Sequence, residues 1–321
     1  DEAETRIRAI IEEVAAKQHE EGSEEQKIGD LYASFMDEQR VNDLGLAPIE
    51  ADLKAIKDIT THDAVADALA NAVIYGGSSP FNMFINQDSK SPEEYIAYFT
   101  QTGLGLPDRD YYLKDDERSV DIREKYITYI ENLLTLAGVE DGAAKASAIM
   151  DMETKLAEVF WSRAESRDRN KTYNKYTREA LIEEFEGFPW GAFLEKTGLG
   201  EQSSFIVRQP SSLKGSAEVF AQTSVDTWKA YLTFHLLNGA SPLLSNDYVD
   251  LAFDFNSKTL FGVPQNRERW KRAVGMIENG MGEAVGKIYV ARHFKPEAKA
   301  EMEGLVDNLV RAFEISIKDL E

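Results

Sequence analysis

Residues 24–40, Glu24-Glu25-Gln26-Lys27-Ile28-Gly29-Asp30-Leu31-Tyr32-Ala33-Ser34-Phe35-Met36-Asp37-Glu38-Gln39-Arg40, decide the fold class. Ile28, Leu31, Tyr32, Phe35 and Met36 stand at i, i+3, i+4, i+7 and i+8, which lays them along one face of a helix. Ser23 followed three residues later by Gln26 reads as its capping box. The same grammar recurs outward from this segment. Pro48 opens a helix as a first-turn proline, and Thr61 caps one that ends at Gly76-Gly77. Further helices are expected over 115–137, 143–164, 177–186, 212–238, 245–261, 266–292 and 296–320. The chain enters an amphipathic helix directly at Asp1. Leu305, Leu309, Phe313 and Ile317 carry a helical stripe toward Leu320 with no Gly or Pro stop signal, so the sequence reads as a stretch of a longer protein.

Two segments break the helical period. Residues 81–87 and 95–101 are short, aromatic and β-rich, and the polar link Asp88-Ser89-Lys90-Ser91-Pro92 suits a small hairpin between them. Phe205-Ile206-Val207-Arg208, ahead of Pro210, is a third candidate strand. The expected class is therefore mainly α: a multi-helix lobe carrying a small β-hairpin.

Composition narrows the partners. Of 321 residues, 43% are hydrophobic and 29% charged, the balance of a globular chain. Lys plus Arg number 36 against 57 Asp plus Glu, a net charge of -21 that repels a phosphate backbone and argues against nucleic acid. Cysteine is absent, which removes disulfides, thiolate metal sites and cysteine nucleophiles. No apolar run approaches the roughly 20 residues that span a bilayer. The most apolar stretch, 231–244, is interrupted by His235, Asn238, Gly239 and Pro242.

A search for chemistry returns no self-contained active site. His19-Glu20-Glu21-Gly22-Ser23 begins like the zinc-binding HExxH but has Ser23 where the second imidazole belongs. His62, His235 and His293 stand alone in sequence, as surface or packing histidines do, and no spacing supports a site built from His235, His293 and a carboxylate. Gly76-Gly77-Ser78 and Gly215-Ser216 do not match a nucleophile elbow. Gly103-Leu104-Gly105-Leu106-Pro107-Asp108 lacks the third glycine of a phosphate loop and reads as a structural turn. Aromatic residues cluster at Tyr95, Tyr98, Phe99, Tyr111 and Tyr112, at Phe160, Trp161, Tyr173 and Tyr176, and at Phe185, Phe188 and Trp190. They could line a cavity, but helix–helix packing is the favoured reading.

Five strings in a consistent order carry a family resemblance. They are Lys27-Ile28-Gly29-Asp30-Leu31-Tyr32-Ala33-Ser34-Phe35-Met36-Asp37; Asp88-Ser89-Lys90; the run from Gln101-Thr102-Gly103 to Asp110-Tyr111-Tyr112; Arg167-Asp168-Arg169-Asn170-Lys171-Thr172-Tyr173-Asn174; and Arg269-Trp270 with Gly286, Tyr289-Val290 and Phe294. Together they resemble the N-terminal half of the neprilysin and endothelin-converting-enzyme family of zinc endopeptidases, across essentially the whole chain. The resemblance implies a two-lobed peptidase in which a helical lid lobe restricts entry to peptides. The other lobe holds zinc, whose bound water attacks the peptide with a glutamate as general base.

The family's zinc and catalytic motifs are expected beyond Glu321, so no catalytic or metal residue carries over to this stretch, and it is expected to be inactive and zinc-free alone. Arg167, Asp168, Tyr173, Asn174 and Trp270 match the family strings and are expected to be structural. The division expected is a lid lobe over 1–265 and connecting helices over 266–321 leading to the catalytic lobe, with a hinge sought at Val263-Pro264-Gln265. Implied partners are peptide substrates and the catalytic lobe of the same protein. Family members usually act outside the cytoplasm, which implies an extracytoplasmic location (periplasmic, secreted or membrane-anchored). The zero cysteine count fits a bacterial member better than an animal one. A second reading is a stand-alone helical peptide- or protein-binding module. The reading frame beyond Glu321 separates the two.

Overall fold

A computed structural model describes residues 2–318; Asp1 and Leu320, which the sequence reading set in helices, lie outside the described residues. In chain order, α1 (Glu2–Ala15), α2 (Glu24–Met36), α3 (Glu38–Leu44), α4 (Glu50–Lys57) and α5 (His62–Tyr75) precede a hairpin of β1 (Phe81–Asp88) and β2 (Ser91–Gln101). Then come α6 (Asp110–Leu113), α7 (Glu117–Leu136), α8 (Gly142–Val159), β3 (Lys175–Thr177), α9 (Arg178–Glu184), α10 (Trp190–Lys196) and β4 (Ser204–Val207). Last are α11 (Pro210–Gln222), α12 (Val225–Ala240), α13 (Asn246–Phe253), α14 (Arg269–His293) and α15 (Pro296–Lys318). The mainly helical class with a small sheet is the one the sequence periodicity implied. No helix among the described residues is long and apolar enough to cross a membrane.

Caps appear where side-chain chemistry put them. Ser23 accepts the Gln26 N–H at 3.1 Å, and the Gln26 side chain reaches back to the Gly22 N–H at 2.5 Å, one residue earlier than a regular capping box. Thr61 accepts from the Ala64 N–H, and Gly76 closes α5 in the left-handed conformation.

Contacts divide the chain into two compact units: Asp1–Val41 with Asn266–Glu321, and Asn42–Gln265. The chain passes between these units at 41/42 and at 265/266. The first 41 residues cluster with the C-terminal segment rather than with 42–265. The reason is apolar burial. Ile10, Ile11 and Val14 of α1 and Ile28, Tyr32 and Phe35 of α2 pack with Ala273, Val274, Ile277 and Val285 of α14. Within this unit α14 carries a non-helical residue, Met281, between Gly280 and Gly282, which marks a kink.

The 42–265 unit is built on a four-stranded sheet in the order β1-β2-β4-β3. β1 and β2 pair antiparallel with Phe81 opposite Gln101 and an irregularity at Gln87/Asp88; β4 joins β2 in parallel, and β3 pairs antiparallel with β4. Side chains alternate faces as strand geometry requires. Ala97, Phe99, Phe205 and Val207 enter the main core, while Ile96, Tyr98 and Ile206 form a small cluster of their own. The main core is aromatic: Phe188 stands 4.8 Å from both Trp190 and Phe220, each edge to face.

Two expected helices are interrupted. The run 212–238 is two helices, because Ser224 accepts the Thr227 N–H and starts α12 afresh. The run 245–261 passes into a π-helical turn at Asp254–Thr259. Its Phe255 stacks on Tyr129 at 4.8 Å, and Asn256 donates to Asn238 Oδ1 at 2.8 Å. Helix α10 has no counterpart in the sequence reading; its seven residues are too few for a periodic signal.

Glycines test this packing in opposite directions. A Cβ on Gly215 of α11 would lie 2.6 Å from Val159 Cβ, a stiff β-branched neighbour, whereas one on Gly275 of α14 meets nothing within 4 Å. Gly215→Ala is expected to lower stability by about 1–2 kcal/mol net of its helix-propensity gain, and Gly275→Ala to raise it by up to about 1 kcal/mol. Urea midpoints moving in the same direction for both would contradict this account.

Candidate functional site

Each imidazole has its own partner. His19 bonds the Val14 carbonyl at 2.9 Å, His62 bonds the Thr223 carbonyl at 2.8 Å, and the His293 ring lies 5.1 Å from Tyr289. His235 Nε2 lies 2.9 Å from Glu153 Oε1. Among the described residues no group of three or more His, Asp or Glu could hold a metal ion.

Glu153 is the polar centre of the 42–265 unit. It sits on the buried face of α8, four residues after Ile149 and three before Leu156, and is fully buried. Its Oε2 accepts the hydroxyls of Tyr112 at 2.6 Å and Tyr126 at 2.9 Å, and the Gly105 N–H at 3.2 Å. Burial first, then the Glu153 charge, pushes both tyrosine hydroxyls far above their ordinary pKa, which keeps them neutral donors. Tyr231, raised by burial and then by the same carboxylate, donates to the Gly103 carbonyl at 2.7 Å. The 103–106 turn is thereby stapled to α7, α8 and α12. Only glycine fits it: a Cβ at Gly105 would fall 1.7 Å from the Tyr126 hydroxyl, and one at Gly103, where φ is +97°, 2.8 Å from Pro80 N.

The residues drawn from family strings are divided between the two units. Arg167 is exposed, and its guanidinium makes no hydrogen bond or ion pair among the described residues. Asp168 closes a local turn, accepting the N–H of Asn170 at 2.9 Å and of Lys171 at 3.2 Å. Tyr173 donates to Asp88 Oδ1 at 2.8 Å, and Asn174 donates to the Lys171 and Val207 carbonyls. Trp270 belongs to the other unit, where Arg8 lies 4.1 Å over its ring and its Nε1 donates to Glu268. Asp88 is buried and also takes the Lys90 N–H at 2.9 Å and Lys175 Nζ at 3.0 Å. Those hydrogen bonds, the Lys90 N–H foremost, hold its carboxyl at about 2 against the opposing effect of burial.

Beside the stapled turn lies a cleft of about 320 Å³. The Gln101 side chain clamps Trp161, donating to its carbonyl and accepting its N–H, both at 2.8 Å. Gln209, 3% exposed, accepts from the Gln101 N–H at 3.1 Å and Thr100 Oγ1 at 3.3 Å, and donates to Ser166 Oγ at 3.4 Å. Arg109, Arg163 and Arg208 also line this cleft. Of the aromatic residues singled out by sequence, Phe99, Phe185, Phe188 and Trp190 fill the core, Tyr95 is exposed, and Phe160 and Trp161 reach the cleft. Sequence reasoning missed Glu153, whose one signal is a glutamate on an apolar helix face. It also missed Arg208 and Gln209, which signal only as a strand end before Pro210.

A family model described as peptidase family M13 matches residues 1–321. The chain is 28% identical over 276 residues to neutral endopeptidase of Lactobacillus helveticus, covering 85% of this chain and 42% of that protein. It is 26% identical over 329 residues to mouse endothelin-converting enzyme 1, covering 98% and 42% respectively. The structure matches zinc metalloprotease Zmp1 of Mycobacterium tuberculosis in complex with inhibitor with a TM-score of 0.90 at 36% identity, over 99% of this chain and 48% of that one. The chain thus spans about half the length, or less, of the relatives it matches.

Two expectations follow from the geometry. Glu153→Ala leaves two tyrosine hydroxyls and the Gly105 N–H without their acceptor, and should cost about 3–5 kcal/mol, a Tm drop on the order of 10 °C. A drop under about 1 kcal/mol would show that the cluster is not the anchor. Asp88 has a folded-state pKa depressed from 3.8 to about 2, so its contribution is complete above about pH 5 and is lost as pH falls toward 2. In Tm-against-pH curves, the gap between wild type and Asp88→Asn should be constant above about pH 5 and close toward about pH 2.

Proposed function

The chain belongs to peptidase family M13, as the N-terminal portion of such a peptidase, and on that premise we propose that the longer protein is a zinc metalloendopeptidase whose substrate-sieving lid this stretch supplies. The observation that carries the reading is a match over the whole of this chain to about half of each relative, including a zinc metalloprotease of 36% identity. Zinc is accordingly assigned to the longer protein. Peptide hydrolysis is its reaction, with peptides and the catalytic lobe of the same protein as partners.

The lid proper is residues 42–265, a narrower span than 1–265, because only that unit has a core of its own apart from α1, α2 and α14. Residues 1–41 and 266–321 are then the part that continues toward the catalytic lobe. The chain crosses between the units twice, at 41/42 and 265/266, the second crossing directly after Val263-Pro264-Gln265. A lid on two such crossings would admit peptides, close over them and exclude water. The structural role of Arg167, Asp168, Tyr173, Asn174 and Trp270 is part of this proposal; the hydrogen bonds of Tyr173 and Asn174 at the sheet support it. An extracytoplasmic location rests on family membership alone.

The test compares the 321-residue chain with the longer protein on the same peptides, with zinc and with a chelator. Cleavage is expected from the longer protein only, lost on chelation, and confined to peptides rather than folded proteins. Metal-dependent cleavage by the 321-residue chain alone would overturn the division of roles. Rates indifferent to substrate size would overturn the lid.

A further inference from the structure

The cleft beside the 103–109 turn concentrates positive charge in a chain whose net charge is -21. Of its three arginines, Arg163 is paired, with Nε 2.5 Å from Asp108 Oδ2 and Nη2 donating to the Pro107 carbonyl at 3.0 Å. Arg109 and Arg208 differ. Neither guanidinium has a hydrogen-bond or ion-pair partner among the described residues, and Arg109 Nε is buried with no acceptor. Glu165 is near enough to feel the Arg109 charge, but its carboxylate is occupied by the Ser162 N–H at 2.9 Å and hydroxyl at 2.7 Å. The wall amides are occupied as well, Gln101 by Trp161 and Gln209 by Gln101, Thr100 and Ser166. The charged donors of the cleft left without a partner are therefore two guanidiniums, groups whose planar fork matches a carboxylate.

Both forks are held on rigid backbone. Arg109 leads into α6 from the turn stapled by Glu153, and the Arg208 N–H donates to the Phe99 carbonyl at 3.0 Å where β4 meets β2. We propose that this cleft is an anion site that takes the carboxylate of a peptide, held by Arg109 and Arg208. Three features select that class. A dianion such as phosphate would be opposed by Asp108 at the rim and by the field of the whole chain. Leu104, Leu106, Pro107 and Phe160 give apolar walls suited to the carbon flanking a carboxylate. A volume of about 320 Å³ admits one or two residues and no folded partner. Only the choice of a peptide as the carrier rests on the peptidase reading; the anion site itself does not.

The experiment is calorimetric titration of the 321-residue chain at low salt with four probes. These are a blocked tripeptide with a central glutamate, its glutamine analogue, a tripeptide with apolar side chains and a free C-terminal carboxylate, and inorganic phosphate. Saturable 1:1 binding is expected for one or both carboxylate peptides, and the two identify whether a side chain or a chain end is taken. The glutamine analogue should bind at least about tenfold more weakly than the glutamate peptide if that one binds. Arg208→Gln should weaken binding about tenfold or more, Arg208→Lys should restore part of it, and the exposed Arg311→Gln should change nothing. Arg109→Gln is expected to act alike, and Arg208 carries the test should that variant fail to fold. Equal binding of the glutamate and glutamine peptides, with no tighter binding of the peptide that has a free C-terminal carboxylate, overturns the proposal. So does no binding of either carboxylate peptide up to millimolar concentration, or phosphate binding tighter than both. Absence of peptidase activity in the longer protein would leave these binding outcomes untouched, so the two readings fail separately.

Discussion

The Glu153 carboxylate, buried on α8, organises the 42–265 unit, because a charge taken out of water must be met by donors from several directions. Its donors come from the 103–106 turn, from Tyr112 on α6, from Tyr126 on α7 and from His235 on α12. Four segments, their donors 27 to 82 residues from Glu153 in sequence, are thus tied to one pair of oxygens. An apolar core alone would tolerate small slides between those helices; a carboxylate with four directional partners does not. The cleft inherits this rigidity, since the turn forming one side of it can move only if Gly105 and Tyr231 release their hydrogen bonds.

The sheet repeats the device at smaller scale. Asp88, at the irregular end of β1, collects the Lys90 N–H, the Tyr173 hydroxyl and Lys175 Nζ, and so ties the hairpin to the segment leading into β3. Residues 170–174, which join no regular element, are held at both ends: Asp168 caps their start and Asn174 bridges to Val207. Both buried carboxylates act as acceptors for residues brought from elsewhere in the chain.

What was legible in the sequence follows the range of the physics that encodes it. Caps such as Ser23 and Thr61, the hairpin, and the glycine-dependent turn at 103–106 are local, and their residues announce them. The split of 212–238 was also local, through Ser224, but the apolar run across it masked the cap. The π turn at Asp254–Thr259 was not local: Phe255 and Asn256 answer to Tyr129 and Asn238, which no window around them contains. Glu153 was hidden by its company, since one glutamate among 57 acidic residues carries no message until its helix face is known. Arg208 was hidden because an unpaired guanidinium is defined by which acceptors are absent in three dimensions.

The two-unit division shows the same limit and has a consequence for folding. Amphipathic stripes on α1 and α2 say that Ile10, Ile11, Ile28 and Phe35 will be buried, but not against what. Their partners Ala273, Val274 and Ile277 come more than 200 residues later, so the 42–265 unit is in effect inserted into the other. Closing so long a loop is entropically costly while the intervening chain is unfolded, though the cost grows only logarithmically with length. Once 42–265 has folded around its own core, that loop is replaced by a structured body and the closure entropy falls. The order of events expected from topology is that the continuous unit forms on contacts within itself, while α1 and α2, which pack on each other, complete their shared apolar cluster only when α14 is available.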